Sequence, residues 1–185
     1  DSGCGEGFYT TNFCKNLPSC SVFGLDISKN AVNHAAKRAS CDKQNNAFFC
    51  VASSFELPFK SGCADAVISI FAPVCNDEYS RVLKKKGRLF VAAPNADHLF
   101  GLKEALYEKP YKNKPNEYNL TNFKLEKQHD LRFEITLDCN NDIQSLFKMT
   151  PYYYKTSIAD TEKLNSLNSL KTVCDFCILE YVKIK

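Results

Sequence analysis

The chain has no tryptophan, one methionine and three histidines among its 185 residues. It also lacks any uninterrupted apolar run of about 18 or more residues, which excludes a helical membrane span. Neither sign of charge dominates: 24 Lys and Arg stand against 21 Asp and Glu, a formal net charge of +3. That balance permits a nucleic-acid partner without pointing to one, because no large basic field is built. From the polar, glycine-rich N-terminus no secretory leader is expected.

Cysteine is plentiful instead, at 10 residues. The cysteines are scattered through apolar segments, Cys14 on a predicted helix and Cys50 in a strand-like run, where Cys acts as a small hydrophobe. A disulfide framework belongs to secreted chains, so the expectation is a cytoplasmic protein with reduced thiols. Cys174 and Cys177 have the spacing of half a zinc site, but no second pair stands where a tetrahedral site needs one. They are read as part of a C-terminal strand. At 185 residues the chain is expected to form one domain with a real core.

The feature that organises the rest is Asp1-Ser2-Gly3-Cys4-Gly5-Glu6-Gly7. Such a turn lets the main chain approach a ligand closely and adopt angles that a Cβ forbids. Apolar periodicity then predicts a helix over 6–16, a strand over 21–26, and a helix capped by Ser28 running to 39. Further strands are expected at 47–52 and 64–71, a helix at 76–83, a basic turn at 84–88, a strand at 89–93 and a helix at 98–107. This alternation predicts an α/β fold with a mostly parallel sheet and helices on both faces. Residues 108–122 read as a mobile excursion rich in Lys, Pro, Asn and Tyr. A strand at 123–137, helices at 143–149 and 159–170 and a strand at 173–184 complete the chain.

Three later features raise the value of the glycine turn. Asp26 ends the next strand, where a carboxylate can accept hydrogen bonds from both hydroxyls of a ribose. Ser53 and Ser54 follow the strand after that and can meet an adenine edge. Leu57-Pro58-Phe59 and Asp65 introduce the following strand. The glycines alternate strictly, unlike the G-x-G-x-x-G of dinucleotide enzymes, where a helix N-terminus holds a pyrophosphate.

This turn resembles the first motif of class I S-adenosylmethionine-dependent methyltransferases, a Rossmann-like family. The segments 3–10, 23–29, 49–54, 71–73 (Phe-Ala-Pro) and 149–152 (Met-Thr-Pro-Tyr) extend the likeness. In that order they are similar to the bacterial 23S ribosomal RNA guanine-N1-methyltransferases. The resemblance implies S-adenosylmethionine as cofactor and 23S ribosomal RNA as partner. Position by position it implies cofactor contacts at Gly5, Glu6 and His98, with Asp1 and Gly3 at the methionine end; Asp26, Ser53 and Ser54 are the further cofactor candidates, and Pro73 and Tyr152 are the candidates for substrate contact. For the base that removes the guanine N1 proton it leaves His98, Glu6 and Asp97 unranked. Members of the family carry a zinc module and a linker helix before this domain, so the chain is expected to be N-terminally truncated, with any zinc confined to the missing module. The first strand of the sheet is likewise expected to be absent except for Asp1, leaving its neighbours short of partners. Small-molecule methyltransferases of the quinone-biosynthesis type share the turn, the Leu-Pro-Phe loop and Asp65. A cofactor-binding fragment without catalysis is the third reading.

Overall fold

A computed structural model describes residues 1–114 and 118–185. Part of the excursion expected at 108–122, residues 115–117, lies outside the described residues. The described chain divides into two compact units: Asp1–Ala93 with Glu117–His129 and Ile178–Lys185, and Pro94–Asn116 with Asp130–Cys177.

In the first unit, helix α1 (Phe8–Asn16) buries Thr10, Thr11 and Cys14 and ends at Leu17, just before Pro18. Strand β1 (Val22–Asp26) leads to α2 (Lys29–Cys41), whose Ser28 cap accepts a hydrogen bond from the Ala31 N–H. The buried Val32, Ala35 and Ala39 fall three and four residues apart, on one helix face. Strand β2 (Ala47–Val51) pairs with β1 in parallel, Val22 opposite Ala47 and Asp26 opposite Val51. Both helices pack on this strand pair.

Strand β3 (Ala64–Ile70) pairs in parallel with β4 (Leu83–Pro94), which follows the short helix α3 (Asn76–Val82). The turn expected at 84–88 is corrected by the structure: those residues lie inside β4. Leu83 pairs with Ala64 and Arg88 with Ala66, so the intervening residues bulge out, with Lys86 at φ 61°. The basic run therefore interrupts the ladder without ending the strand.

Among the described residues, the start of the chain lies between β1 and β3. Ser2 bridges Leu25 in parallel. The Leu25 N–H donates to the Asp1 carbonyl at 3.0 Å, and the Ser2 N–H donates to the Ile68 carbonyl at 2.8 Å. Asp1 to Gly3 thus join the β1–β2 pair to β3 at one point, in the lane where the first strand was expected to be absent except for Asp1.

In the second unit, α4 (Phe100–Leu106), α5 (Asn140–Lys148), α6 (Ile158–Lys163) and a 3-10 turn (Leu164–Ser166) surround a core of Leu99, Leu102, Leu106, Ile143, Phe147, Leu164 and Leu170. Helix α4 begins two residues after the predicted start because Leu99 takes a left-handed conformation, φ 55°. The helix expected over 159–170 stops early, and residue 170 already begins a strand. That strand, β6 (Leu170–Lys183), and β5 (Phe123–Leu137) complete a four-stranded sheet in the order β3-β4-β6-β5. Among the described residues no helix is long and apolar enough to cross a membrane.

Candidate cofactor site

The glycine turn leaves the Asp1–Gly3 stub and enters α1. Gly7 has φ 74°, and a Cβ there would sit 2.7 Å from the Ala35 Cβ and 3.1 Å from Phe49 Cε1. Gly5 has φ 53° with nothing within 4 Å of a Cβ. Both need the left-handed region, but only Gly7 is also needed for packing.

Asp26 ties the turn to the strand end. Its Oδ2 accepts the Gly5 N–H at 3.0 Å, and its Oδ1 accepts the Ser28 N–H at 2.8 Å. A carboxylate has about four acceptor positions, so each oxygen retains capacity for a hydroxyl donor. Cys4 is buried beneath the turn. Burial first, and the Asp26 charge second, push its thiol up to about 11.

Asp26 borders a cavity of ≈ 360 Å³ that is also lined by Gly3, Ser53, Ser54, Phe55, Phe71 and Pro73. Ser54 Oγ accepts from Ser2 Oγ at 2.8 Å, and Ser2 Oγ accepts from the Tyr79 hydroxyl at 2.9 Å. The same hydroxyl lies 3.0 Å from the Pro73 carbonyl. Tyr79, fully buried, therefore joins two walls of the cavity. Phe71 is half exposed with φ 51°, a costly conformation for an aromatic residue. Ser53 Oγ accepts the Phe55 N–H at 3.1 Å. Asp1 uses its carboxylate to accept from Thr10 Oγ1 at 2.5 Å, while Glu6 is exposed in the turn.

The loop through Leu57 is clamped by Glu78 and Arg81. Glu78 accepts from Arg81 Nε and Nη2 at 2.7 and 2.8 Å and from the Leu57 N–H at 2.7 Å. Arg81 in turn donates to the Phe59 and Leu57 carbonyls. The Arg81 hydrogen bond, and then the Leu57 N–H, hold the Glu78 carboxyl down at about 2.

His98 and Tyr152 belong to the second unit. The His98 Nδ1 accepts the Asp175 N–H at 3.2 Å, and burial lowers its pKa against the opposing pull of the Asp175 charge. Asp97 pairs with Lys112 at 2.8 Å and Arg132 at 3.0 Å, and these bonds hold its carboxyl below the usual range. Tyr152 donates to Asn113 Oδ1 at 3.0 Å, and its ring lies 4.9 Å from the Nζ of the buried Lys103. Lys103 also donates to Asn113 Oδ1 at 2.7 Å and to the Tyr111 carbonyl at 2.9 Å. Burial lowers the Lys103 pKa and raises that of Tyr152.

Gly3, Asp26, Ser53, Ser54 and Pro73 are thus brought to one cavity, with Gly5 bonded to Asp26 beside it. Tyr79, Glu78 and Arg81 escaped sequence reasoning. An amphipathic helix with a buried aromatic is common, and nothing local marks its hydroxyl as part of a cavity wall. Among the described residues no group of three or more His, Cys, Asp or Glu is placed to hold a metal ion, and Cys174 and Cys177 both lie in β6.

The donor set suits a cationic ribonucleoside. Asp26 offers acceptors of the kind a vicinal diol needs, Ser53, Ser54 and the aromatic side chains offer surfaces of the kind a flat base needs, and among the described residues no Lys or Arg lines the cavity to neutralise a pyrophosphate.

Residues 1–136 match the methyltransferase domain family. A Bacillus subtilis (strain 168) protein, provisionally named a 23S rRNA (guanine-N(1)-)-methyltransferase, is 30% identical over 97% of this chain and 64% of its own length. The 23S rRNA (guanine(748)-N(1))-methyltransferase of Streptomyces fradiae is 33% identical over 57% of this chain and 36% of its own. The chain therefore spans less than two thirds of these curated relatives. Among solved structures, a Bacillus halodurans C-125 protein provisionally titled a methyltransferase superposes with a TM-score of 0.68, covering 100% of this chain and 91% of its own at 14% identity. That likeness is one of fold.

Proposed function

Because the chain belongs to the methyltransferase domain family, we propose that it transfers a methyl group from S-adenosylmethionine to N1 of a guanine in 23S ribosomal RNA. The cofactor supplies a methyl carbon activated by its attachment to a sulfonium. The chain's own task is to position the two reactants and exclude water. Asp26 would hold the ribose hydroxyls, with Ser53 and Ser54 at the base and the Gly3–Gly7 main chain at the amino-acid end. The absence of basic residues from the cavity lining favours a cationic ligand over a diphosphate one. Phe71, held by its backbone N–H on the Ala92 carbonyl, and Pro73 offer the apolar wall against which a flat target base can lie.

Guanine N1 carries a proton at neutral pH, and a base must accept it. Asp97 is ill suited, since Lys112 and Arg132 stabilise its charged form. His98 accepts an N–H at Nδ1, so its neutral ring carries the proton on Nε2 and acts there as a donor.

The observation that carries the RNA part of this reading is the alignment of 97% of the chain with the Bacillus subtilis relative. The test is methylation of unmodified ribosomal RNA by the whole protein with labelled S-adenosylmethionine, the product base being mapped by mass spectrometry. Label at guanine N1 is expected. Label only at N2 or N7, or only on a small molecule, overturns the assignment.

A further inference from the structure

Lys103, on helix α4 of the second unit, is fully buried, where a charged side chain is rarely found unless it is partnered. Its Nζ donates to the Tyr111 carbonyl at 2.9 Å and to Asn113 Oδ1 at 2.7 Å. It also lies 4.4 and 4.9 Å from the ring centres of Tyr111 and Tyr152. The methyl transfer proposed for this chain makes no direct use of this ammonium.

Its consequence falls on Asn113. An asparagine side chain has two acceptor positions on its oxygen and two N–H donors. Lys103 and the Tyr152 hydroxyl, 3.0 Å away, take both acceptor positions. An ammonium can only donate, so it dictates which end of the amide faces it. The NH2 group is thereby turned away, and it donates to the Asn95 carbonyl at 2.9 Å and the His98 carbonyl at 3.3 Å. The Asn113 backbone N–H takes the Ala96 carbonyl at 2.9 Å. The N–H groups of the same loop are taken by β6: Asn95 donates to the Asp175 carbonyl, Asp97 to the Asp175 carboxylate and Leu99 to the Val173 carbonyl. The loop carrying His98 is therefore anchored by its carbonyls to Asn113 and by its N–H groups to β6. The ring itself accepts the Asp175 N–H at Nδ1.

We propose that Lys103 and Asn113 are the positioning residues of His98: the buried ammonium orients the Asn113 amide, and the amide holds the 95–98 loop so that the His98 ring keeps the one tautomer that donates from Nε2. Both act through His98 and not on a reactant. The bearing on methyl transfer rests on the function proposed above, whereas the hold on the ring does not.

The test joins nitrogen NMR of the histidine rings to calorimetry with S-adenosylmethionine, with the exposed His34 and His129 as internal controls. Asn113→Asp keeps an acceptor for Lys103 and Tyr152 but sets an oxygen, in place of two N–H donors, against the Asn95 and His98 carbonyls. Lys103→Met removes the ammonium and leaves the amide free to turn, and it asks the same question should Asn113→Asp fail to fold by circular dichroism. Wild-type His98 is expected to show a protonated Nε2 and an unprotonated Nδ1. In both variants its ring signals are expected to move toward a mixture of tautomers while those of His34 and His129 stay. S-adenosylmethionine affinity is expected to fall about tenfold, the worth of one hydrogen bond. Added to His98→Ala, either substitution is expected to cost nothing further, because residues acting through one group are not additive. His98 signals that match the wild type in the folded variants overturn the proposal, and so does a fully additive loss in the double variants. A His98→Ala chain that binds S-adenosylmethionine as tightly as the wild type removes His98 from the cofactor, and the ring signals then decide the positioning by themselves.

Discussion

Substituting Gly7 and Gly5 by alanine separates two duties that the glycine turn combines. At Gly7 an L-residue must sit at φ 74°, which costs about 1–2 kcal/mol. Its Cβ would also lie 2.7 Å from the Ala35 Cβ and 3.1 Å from both the Ala35 Cα and Phe49 Cε1. None of these is the far end of a flexible chain, so helix α2 must move, and such overpacking costs about 1–3 kcal/mol. Gly7→Ala is therefore expected to lose about 2–5 kcal/mol. At Gly5, φ 53°, the backbone cost remains but no atom lies within 4 Å of the new Cβ. Gly5→Ala is expected to lose only about 1–2 kcal/mol. A chain of this size shifts its Tm by roughly 2–4 °C per kcal/mol, so thermal melts should separate the variants, Gly7→Ala falling by roughly 4–20 °C and Gly5→Ala by roughly 2–8 °C. The difference between them isolates the contact with Ala35. Gly5→Ala melting as low as Gly7→Ala, or Gly7→Ala melting with the wild type, would refute this division of labour.

Asp26→Asn replaces an acceptor of two N–H groups with an amide that must turn a donor toward one of them. Hydrogen bonds to charged groups contribute about 1.5–3 kcal/mol, so calorimetry should find S-adenosylmethionine affinity reduced roughly 10- to 100-fold, and unchanged affinity would remove Asp26 from the site. Tyr79→Phe removes the single hydroxyl proton that lies between Ser2 Oγ and the Pro73 carbonyl, and urea titration should show a loss of about 1–2 kcal/mol. For Glu78 the folded pKa, about 2, lies below its ordinary 4.5. Its contribution is thus complete above pH 4.5 and vanishes as pH falls through 2. The shift sets a ceiling of about 3 kcal/mol, which solvent around Arg81 reduces to roughly 1–2 kcal/mol. Acid melting curves of wild type and Glu78→Gln should converge toward pH 2; parallel curves would show that the clamp carries no such linkage.

The Ser28 cap was legible in the sequence because a hydroxyl before a helix acts within three residues of itself, and Asp26 because it stands as an acid at a readable strand end, although its bond to Gly5 spans 21 residues. The bulge at 84–88 was not, since a run of Lys and Gly reads as a turn, and only the pairing of Ala64 and Ala66 on either side of it keeps β4 one strand. The clamp through Glu78 and Arg81 and the Tyr79 bond to Ser2 close over distances of about 20 to 80 residues in sequence, beyond any local pattern. Lys103 is the sharpest miss. An exposed lysine is the ordinary expectation, but this one is fully buried between the carbonyl of Tyr111 and the side chain of Asn113.

The thiol of Cys4 also makes the glycine turn observable over time. Buried under the turn and raised to about 11, it is almost wholly protonated at neutral pH, whereas Cys20, Cys41, Cys63 and Cys139 stand exposed. An alkylating reagent would consume the four outer thiols at once and reach Cys4 only when the turn swings open, so its labelling rate is a clock for that opening. A ligand seated against Asp26 would slow the clock without touching the sulfur.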